Sequence, residues 1–264
     1  MRLLFDLLLN LVYTVGFIIY ILIIAPFHVL FAATLLLFTF PFDKKRKLQH
    51  YYSVFISNSW FTISFFLRTK IKGLENVDKH QTYIIISNHQ SMLDILWLYK
   101  VPTVFKWVSK WEAYRIPFVG ALLWLREDVC VKRGDAVSVR KMMTDCSHWL
   151  KNKVSIIMFP EGTRSKTGRI GQFKEGAFIL AKKNNVPILP VVIEGTRDYS
   201  MYNKWYLFNA RQVVQLTVLP PIAAHEVAQT GIRDMMERLH SQMLTEHQGM
   251  VPHKYAKNET QPRD

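Results

Sequence analysis

The sequence predicts an α/β protein, a sheet flanked by helices and preceded by N-terminal membrane-embedded helices. Three observations lead there. Between residues 83 and 219, short β-branched and apolar runs alternate with longer stretches whose apolar positions recur at helical spacing, the pattern of strands joined by crossover helices. Residues 3 to 42 hold Asp6, Asn10 and His28 but no Lys or Arg, which is too apolar for a surface helix. At 264 residues the chain has room for one sizeable α/β domain plus that appendage.

Taken in order, the apolar N-terminus comes first. About 20 residues span a bilayer, so one span is expected from Leu7 to Ala25, ended by Pro26. A second apolar helix would run from Phe27 to Phe40, too short to cross comfortably. A single span and a helical hairpin dipping into the membrane both satisfy this pattern. A cleaved signal peptide does not: Arg2 is the lone positive charge before a stretch far longer than the usual apolar region, with no small-residue cleavage site. Lys44-Lys45-Arg46-Lys47 closes the run, and the positive-inside rule then places that end, and the α/β domain after it, on the cytoplasmic side of the inner membrane. Tyr51 to Leu67 is rich in Tyr, Phe and Trp broken by Ser57, Asn58, Ser59 and Ser64, a mixture that suits either the protein core or the headgroup layer, of which the headgroup layer is the expectation here. The expected division is therefore a membrane-embedded region with a basic flank at 1–47, an interfacial helix and linker at 48–72, the α/β domain at 73–248 and a polar tail at 249–264.

Within that domain, Tyr83 to Ile86 reads as a buried strand and Met92 to Leu98 as a helix. Val104 to Ser109 is the next strand, ending in Lys110. Ile116-Pro117-Phe118-Val119-Gly120 interrupts the chain before an apolar helical piece at Ala121 to Leu125. Val129 to Val131 is a short strand leading into Lys132-Arg133, and Ala136 to Lys151 carries a helical apolar stripe. Val154 to Met158 is a strand, Ala177 to Lys183 a helix stopped by Asn184-Asn185, and Val186 to Ile193 a further strand. Pro187 and Pro190 suit a strand interior poorly, so this strand is expected at an edge, bulged, or only partly paired. Val213 to Leu219 is the last strand, and Glu226 to Gln248 the closing helix. No internal repeat is apparent.

The formal net charge of +14, from 34 Lys and Arg against 20 Asp and Glu, suits an anionic partner. The apolar N-terminus makes that partner a membrane surface and argues against nucleic acid. Cys130 and Cys146 have no metal-like spacing and are expected to stay reduced. No ligand cluster accompanies His89, so no metal is implied.

Two stretches carry chemistry. In Ser87-Asn88-His89-Gln90-Ser91-Met92-Leu93-Asp94, a histidine sits at a strand-to-helix turn. With a helix starting near Gln90 or Ser91, Asp94 falls about one turn in, and its carboxylate can fold back on the imidazole. A carboxylate on one ring nitrogen fixes the tautomer and leaves the other nitrogen free to take a proton. This is the base half of a triad without a protein nucleophile, and no Gly-x-Ser-x-Gly turn supplies one. The second stretch is Phe159-Pro160-Glu161-Gly162-Thr163-Arg164-Ser165, after another buried strand. Lys110, Arg133 and Arg164, gathered around the Gly162-Thr163 turn, would bind a phosphate through their cationic donors and backbone N–H groups.

Asn88-His89-Gln90-Ser91-x-x-Asp94 and Phe159-Pro160-Glu161-Gly162-Thr163-Arg164-Ser165, about seventy residues apart, resemble the first and third blocks of the glycerolipid acyltransferase family that acylates lysophosphatidic acid. Val129 to Arg133 resembles the second block, and Val186 to Val192 the fourth. The resemblance covers roughly residues 70 to 222 and implies a glycerolipid-acyltransferase-like sheet. It implies His89 as general base on the free hydroxyl of a lysophospholipid acceptor, oriented by Asp94, with acyl-CoA or acyl carrier protein as donor and no other cofactor. Arg164 with Gly162 and Thr163, and also Arg133, Lys110 and Lys174, would hold the acceptor. Glu161 would hold either its own loop or the acceptor's polar head. Trp107, Trp111, Ile116, Phe118, Leu122 and Trp124 are available to line an acyl groove. Other lysophospholipids and lyso-aminolipids offer the same base a hydroxyl, and a non-catalytic lipid-binding scaffold would keep the membrane segment and the phosphate site.

Overall fold

The computed structural model describes residues 2–63, 68–199 and 212–256. Ser64 to Leu67, the end of the aromatic stretch, and residues 257–264 of the tail lie outside the described residues. The N-terminal chain forms α1 (Arg2–Ile19), a π-helical turn (Tyr20–Ile24) and α2 (Ala25–Thr39). The interruption expected at Pro26 does not occur. In the π turn the Ala25 N–H reaches the Tyr20 carbonyl, five residues back. This shift in bonding just before Pro26 accommodates its missing donor without ending the helix. Leu7–Thr39 is therefore one apolar helix of 33 residues. Its length of about 50 Å exceeds the roughly 30 Å hydrocarbon core of a bilayer.

Helix α3 (Lys47–Ile63) turns back along α2. Asp43 starts it, its carboxylate accepting the Lys47 and Leu48 N–H groups at 3.0 and 2.8 Å. Gln49 Nε2 donates to the Ala32 carbonyl at 2.7 Å, and Tyr52 Oη pairs with His28 Nδ1 at 2.7 Å. One side of α3 is buried through Gln49, Ser53, Ser57 and Trp60, while Tyr51 and Phe55 face outward. The aromatic helix thus divides its residues between protein packing and the exterior.

The rest of the described chain runs β1 (Arg68–Lys72), β2 (Ile84–Ser87), α4 (Asp94–Leu98), β3 (Phe105–Lys110), α5 (Val119–Leu125), β4 (Val129–Val131), α6 (Ala136–Lys151), β5 (Ser155–Met158), α7 (Gly176–Asn184), β6 (Ile188–Glu194), α8 (Thr196–Tyr199), β7 (Val213–Val218), α9 (Ala224–Gln229), α10 (Ile232–Met250) and α11 (Pro252–Ala256). The strands form one sheet in the order β1-β7-β6-β2-β5-β3-β4. From β6 to β4 all pairs are parallel, whereas β7 is antiparallel to β6 and carries β1 parallel to itself. Both faces are covered, which is why the central strands read as unbroken apolar runs. Ile84, Ile86, Ile156 and Ile188 pack against Cys146 of α6, Phe178 of α7 and Leu239 of α10. Ile85, Ile157, Leu189 and Val191 share the opposite face with Trp97 of α4 and Trp60 of α3.

Three expectations need correction. Arg68 to Lys72 is no linker but the edge strand β1, paired with β7 from Arg68↔Val213 to Lys72↔Thr217. The proline-bearing strand is interior, between β7 and β2, and of the three accommodations expected it uses the bulge. Ile188 bridges Ile222 and Val191 pairs with Val218, which leaves one extra residue on the β7 side. Pro190 sits opposite that irregularity, its carbonyl accepting the Leu219 N–H at 2.9 Å, so its missing donor breaks no regular ladder. The closing helix is also divided: Thr230 and Gly231 take extended backbone and separate α9 from α10.

A buried ionic cluster lies where α3 meets the sheet. Arg126 donates to Asp128 at 2.9 Å, to the Tyr99 hydroxyl at 2.6 Å and to the Phe105 carbonyl at 3.0 Å. Asp128 also accepts the Trp107 N–H at 2.9 Å. Lys106 donates to the Arg126 carbonyl with its ammonium 4.3 Å over the Trp149 ring, and burial pushes it down to about 8. Removing one member of such a pair leaves a buried charge unanswered. Asp128→Ala is expected to lose roughly 3–5 kcal/mol of stability, read as a lowered denaturation midpoint in detergent; an unchanged midpoint would contradict this account of the cluster.

Candidate active site

The five parallel strands end along one edge of the sheet, the place where open α/β sheets bind ligands. Beyond β2, the Asn88 side chain extends the ladder: its amide donates to the Ile193 carbonyl and accepts the Ile193 N–H, both at 2.8 Å. His89 follows, its N–H donating to Glu161 Oε1 at 2.8 Å and its carbonyl accepting the Ser165 N–H at 2.8 Å. The helix then starts later than expected, at Asp94 itself and not near Gln90 or Ser91. The cause is local. The N–H groups of Gln90 and Ser91 bind Asp94 Oδ2 at 2.7 and 3.0 Å, so the carboxylate closes the turn that precedes its own helix.

The same Oδ2 lies 2.7 Å from His89 Nδ1. A carboxylate only accepts, so Nδ1 carries the proton and Nε2 is left with its lone pair. Asp94 is fully buried, and the His89 side chain keeps 16% of its exposure. Phe159 stacks on the imidazole with centroids 3.9 Å apart and planes 11° apart, and Trp107 lies 6.0 Å beyond Phe159. One face of the ring is therefore shielded.

The loop after β5 is anchored by Glu161. Its second oxygen accepts the Gly171 N–H at 2.9 Å, and burial raises its carboxyl against the opposing pull of those hydrogen bonds. Of the two roles open to Glu161, these contacts are those of a residue holding its own loop. Gly162 has a φ of 70°, and a Cβ there would lie 2.9 Å from Lys174 Nζ. Lys174 is thus the cation seated on this turn. Thr163 and Arg164 point to solvent. They line a cavity of about 300 Å³ together with Glu161, Lys166, Arg169 and Gln172.

Lys110 and Arg133 are exposed at the ends of β3 and β4, on the same edge but two and three strands from β2. The Gly162-Thr163 turn follows β5, one strand from β3 and two from β4, so at ~4.8 Å per strand those two strands lie about 5 and 10 Å along the edge from it. Lys174 and Arg164 stand at that turn, and Lys110 and Arg133 at the ends of the next two strands. The apolar residues separate too. Trp107 is core, Ile116, Phe118 and Leu122 are half-buried, and Trp111 and Trp124 are exposed. Cys130 and Cys146 are free thiols, and burial pushes Cys146 up to about 12, which keeps it protonated and inert.

A second anchor was not anticipated. Glu-Gly-Thr-Arg occurs at residues 161–164 and again at 194–197, an internal repetition that the reading of the chain as repeat-free overlooks. The copies follow β5 and β6, the two neighbours of β2, and Gly195 like Gly162 has a positive φ, 94°. Glu194 is buried and takes Gln90 Nε2 and His247 Nε2 on one oxygen, both at 2.6 Å, and Lys254 on the other. The Gly195 N–H returns to Gln90 Oε1 at 3.2 Å. Thr196 donates its hydroxyl to Asp94 Oδ1. The repeated tetrapeptide at two strand ends is the signal that could have located these residues.

A family model described as acyltransferase matches residues 68–194. The chloroplastic 1-acyl-sn-glycerol-3-phosphate acyltransferase BAT2 of Brassica napus is 40% identical over 162 residues, which cover 60% of this chain and 46% of that protein. The alpha form of the same-named enzyme from Homo sapiens is 33% identical over 183 residues, 68% of this chain and 63% of that protein. The chain spans about half the length of the two chloroplastic relatives it matches. The crystal structure of the 1-acyl-sn-glycerophosphate (LPA) acyltransferase PlsC from Thermotoga maritima aligns over 100% of both chains, with a TM-score of 0.71 and 24% identity, a likeness of fold.

The Glu194 cluster makes stability depend on pH. Burial alone would raise this carboxyl, but hydrogen bonds from His247, Lys254 and Gln90 outweigh it and hold the group at about 2, against an ordinary 4.5. A folded-state value below the unfolded one stabilises fully above about pH 4.5, and that contribution is lost as pH falls towards 2. Glu194→Gln is expected to flatten the loss of denaturation midpoint across this window, and equal acid slopes in the two proteins would rule the linkage out.

Proposed function

We propose, on the match of residues 68–194 to the acyltransferase family model, that this chain is an acyltransferase of that family and transfers a fatty acyl group from acyl-CoA or acyl carrier protein to the sn-2 hydroxyl of lysophosphatidic acid, giving phosphatidic acid for phospholipid synthesis. The observation that carries the reading is the His89 and Asp94 pair, with a free Nε2 and, among the described residues, no protein nucleophile on it. His89 Nε2 takes the proton of the acceptor hydroxyl as that oxygen attacks the thioester carbonyl. The tetrahedral intermediate collapses with loss of the thiolate, which receives the proton held on His89. The products are the acylated lipid and a free thiol. Asp94 keeps Nδ1 protonated and stabilises the imidazolium that forms between the two transfers.

Arg164 and Lys174 supply the charge for the acceptor phosphate, and Thr163 and the Gly162 backbone lie beside them; Lys110 and Arg133 extend the positive edge outward. Direct transfer between two substrates needs no covalent enzyme intermediate and no metal. The apolar helix Leu7–Thr39 embeds in the membrane, with the Lys44 to Lys47 flank and the α/β domain on its cytoplasmic side. Within that flank Arg46 is turned inward to Glu127 at 2.7 Å, which leaves Lys44 and Lys47 exposed for an anionic surface. Arg68, Lys70 and Lys72 on β1 add exposed charge for the same partner. In this reading residues 1–47 anchor the chain, α3 lies at the interface, and the acyltransferase unit begins at β1 and runs through α11, where the expected polar tail instead places Lys254 on Glu194.

Thiol release from palmitoyl-CoA by detergent-purified protein, with lysophosphatidic acid as acceptor, tests the assignment. His89→Ala is expected to lower kcat by about 10²–10⁴-fold. Arg164→Ala should raise the acceptor KM by roughly 10- to 100-fold, the worth of a charge-assisted hydrogen bond. Turnover that survives His89→Ala would sink the base, and wild-type activity confined to a different lysolipid would move the acceptor while leaving the chemistry.

A further inference from the structure

We infer that Thr196, on the second Glu-Gly-Thr-Arg loop, is a positioning residue for catalysis, holding the Asp94 carboxylate that orients His89. The two copies of the tetrapeptide bracket β2 and have separate tasks. In the copy after β5, Thr163 and Arg164 face solvent and line the cavity. In the copy after β6, Thr196 is fully buried and its hydroxyl donates to Asp94 Oδ1.

The hydrogen bonds of Asp94 divide unequally between its oxygens. Oδ2 accepts three donors, from His89 Nδ1, Gln90 N–H and Ser91 N–H, all belonging to the same turn. Thr196 is the donor on Oδ1 and arrives from 102 residues away. Three donors on one oxygen fix its position but leave the carboxylate plane free to pivot about it. A donor on the second oxygen sets that plane, and so sets the direction in which Oδ2 presents its lone pair to the imidazole.

Thr196 is itself held in place. It directly follows Gly195, whose N–H binds Gln90 Oε1, and Glu194, whose carboxylate binds Gln90 Nε2, His247 and Lys254. A Cβ at Gly195 would lie 2.3 Å from the Val213 carbonyl, so the turn that delivers Thr196 accepts no side chain there. The hydroxyl is thus presented by a loop with little freedom, as the outer partners of a catalytic or metal-bound histidine commonly are.

The inference rests on the acyltransferase reading for its rate measurement and not for its spectroscopic one. Thr196→Val keeps the side-chain shape and removes the donor. It should lower kcat by about 10- to 100-fold, the worth of one hydrogen bond to a charged group expressed in the transition state, and leave the acceptor KM within about twofold because no substrate contact is touched. Thr196→Ser should restore the rate. In histidine-labelled protein the Nδ1 proton resonance of His89, assigned by its absence from His89→Ala, should be displaced in Thr196→Val and unmoved in Thr196→Ser. If Thr196→Val does not fold, Thr196→Cys, a weaker donor of similar size, should give an intermediate rate and displacement. A wild-type resonance and kcat in the valine or cysteine variant, or a loss shared equally by serine, would overturn the role. Failure of the wild type to acylate lysophosphatidic acid would remove that acceptor, while the resonance comparison still decides on Thr196.

Discussion

A carboxylate shut away from water needs donors of its own, and Asp94 is the group whose need shapes the catalytic edge of this sheet. Its four donors come from the turn after β2 and from the loop after β6. Those bonds delay the start of α4, fix the imidazole tautomer, and tie together two segments more than a hundred residues apart. The ordered site is a consequence of neutralising one buried charge with well-directed groups. Local rigidity and chemical readiness share a cause.

The surrounding contacts extend this logic sideways. Asn88 copies a strand residue by exchanging two hydrogen bonds with Ile193, so the β2 turn cannot shift relative to β6. Glu161 pins the His89 backbone from the β5 side. The histidine is thus clamped between its two neighbouring strands, with Phe159 against one face of the ring. Such preorganisation fits a reaction in which both reactants are substrates, because the protein then has to orient a base and two ligands without a covalent tether. Arg164 and Lys174, by contrast, are exposed, where a charged ligand can reach them.

The apolar N-terminus is integrated with the sheet. Trp60 of α3 lies in the core beside the sheet, and Phe17 of α1 packs edge-on against it at 5.2 Å. Ser57 donates to the Leu96 carbonyl of α4, the helix that begins at Asp94. The buried Arg126 and Asp128 pair stands under the same face, with His50 of α3 beside it. The N-terminal helices therefore also complete one covering layer of the sheet.

Much of this was legible in the residues themselves. The alternation of apolar runs, the His89-x4-Asp94 spacing and the long apolar N-terminus follow from local periodicity, because strand, helix and lipid each impose their own repeat on the chain. The second and fourth blocks likewise marked β4 and β6. Sequence by itself determined the α/β class, the pairing of His89 with Asp94, and the loop bearing Arg164. It did not determine that Pro26 is carried within a continuous helix, that β6 lies inside the sheet opposite a bulge, or that Lys174 is seated on the Gly162 turn. Those outcomes, and the meeting of Thr196 with Asp94, belong to the tertiary structure. They depend on which strands become neighbours, and a hydrogen bond across 102 residues has no period along the chain to announce it.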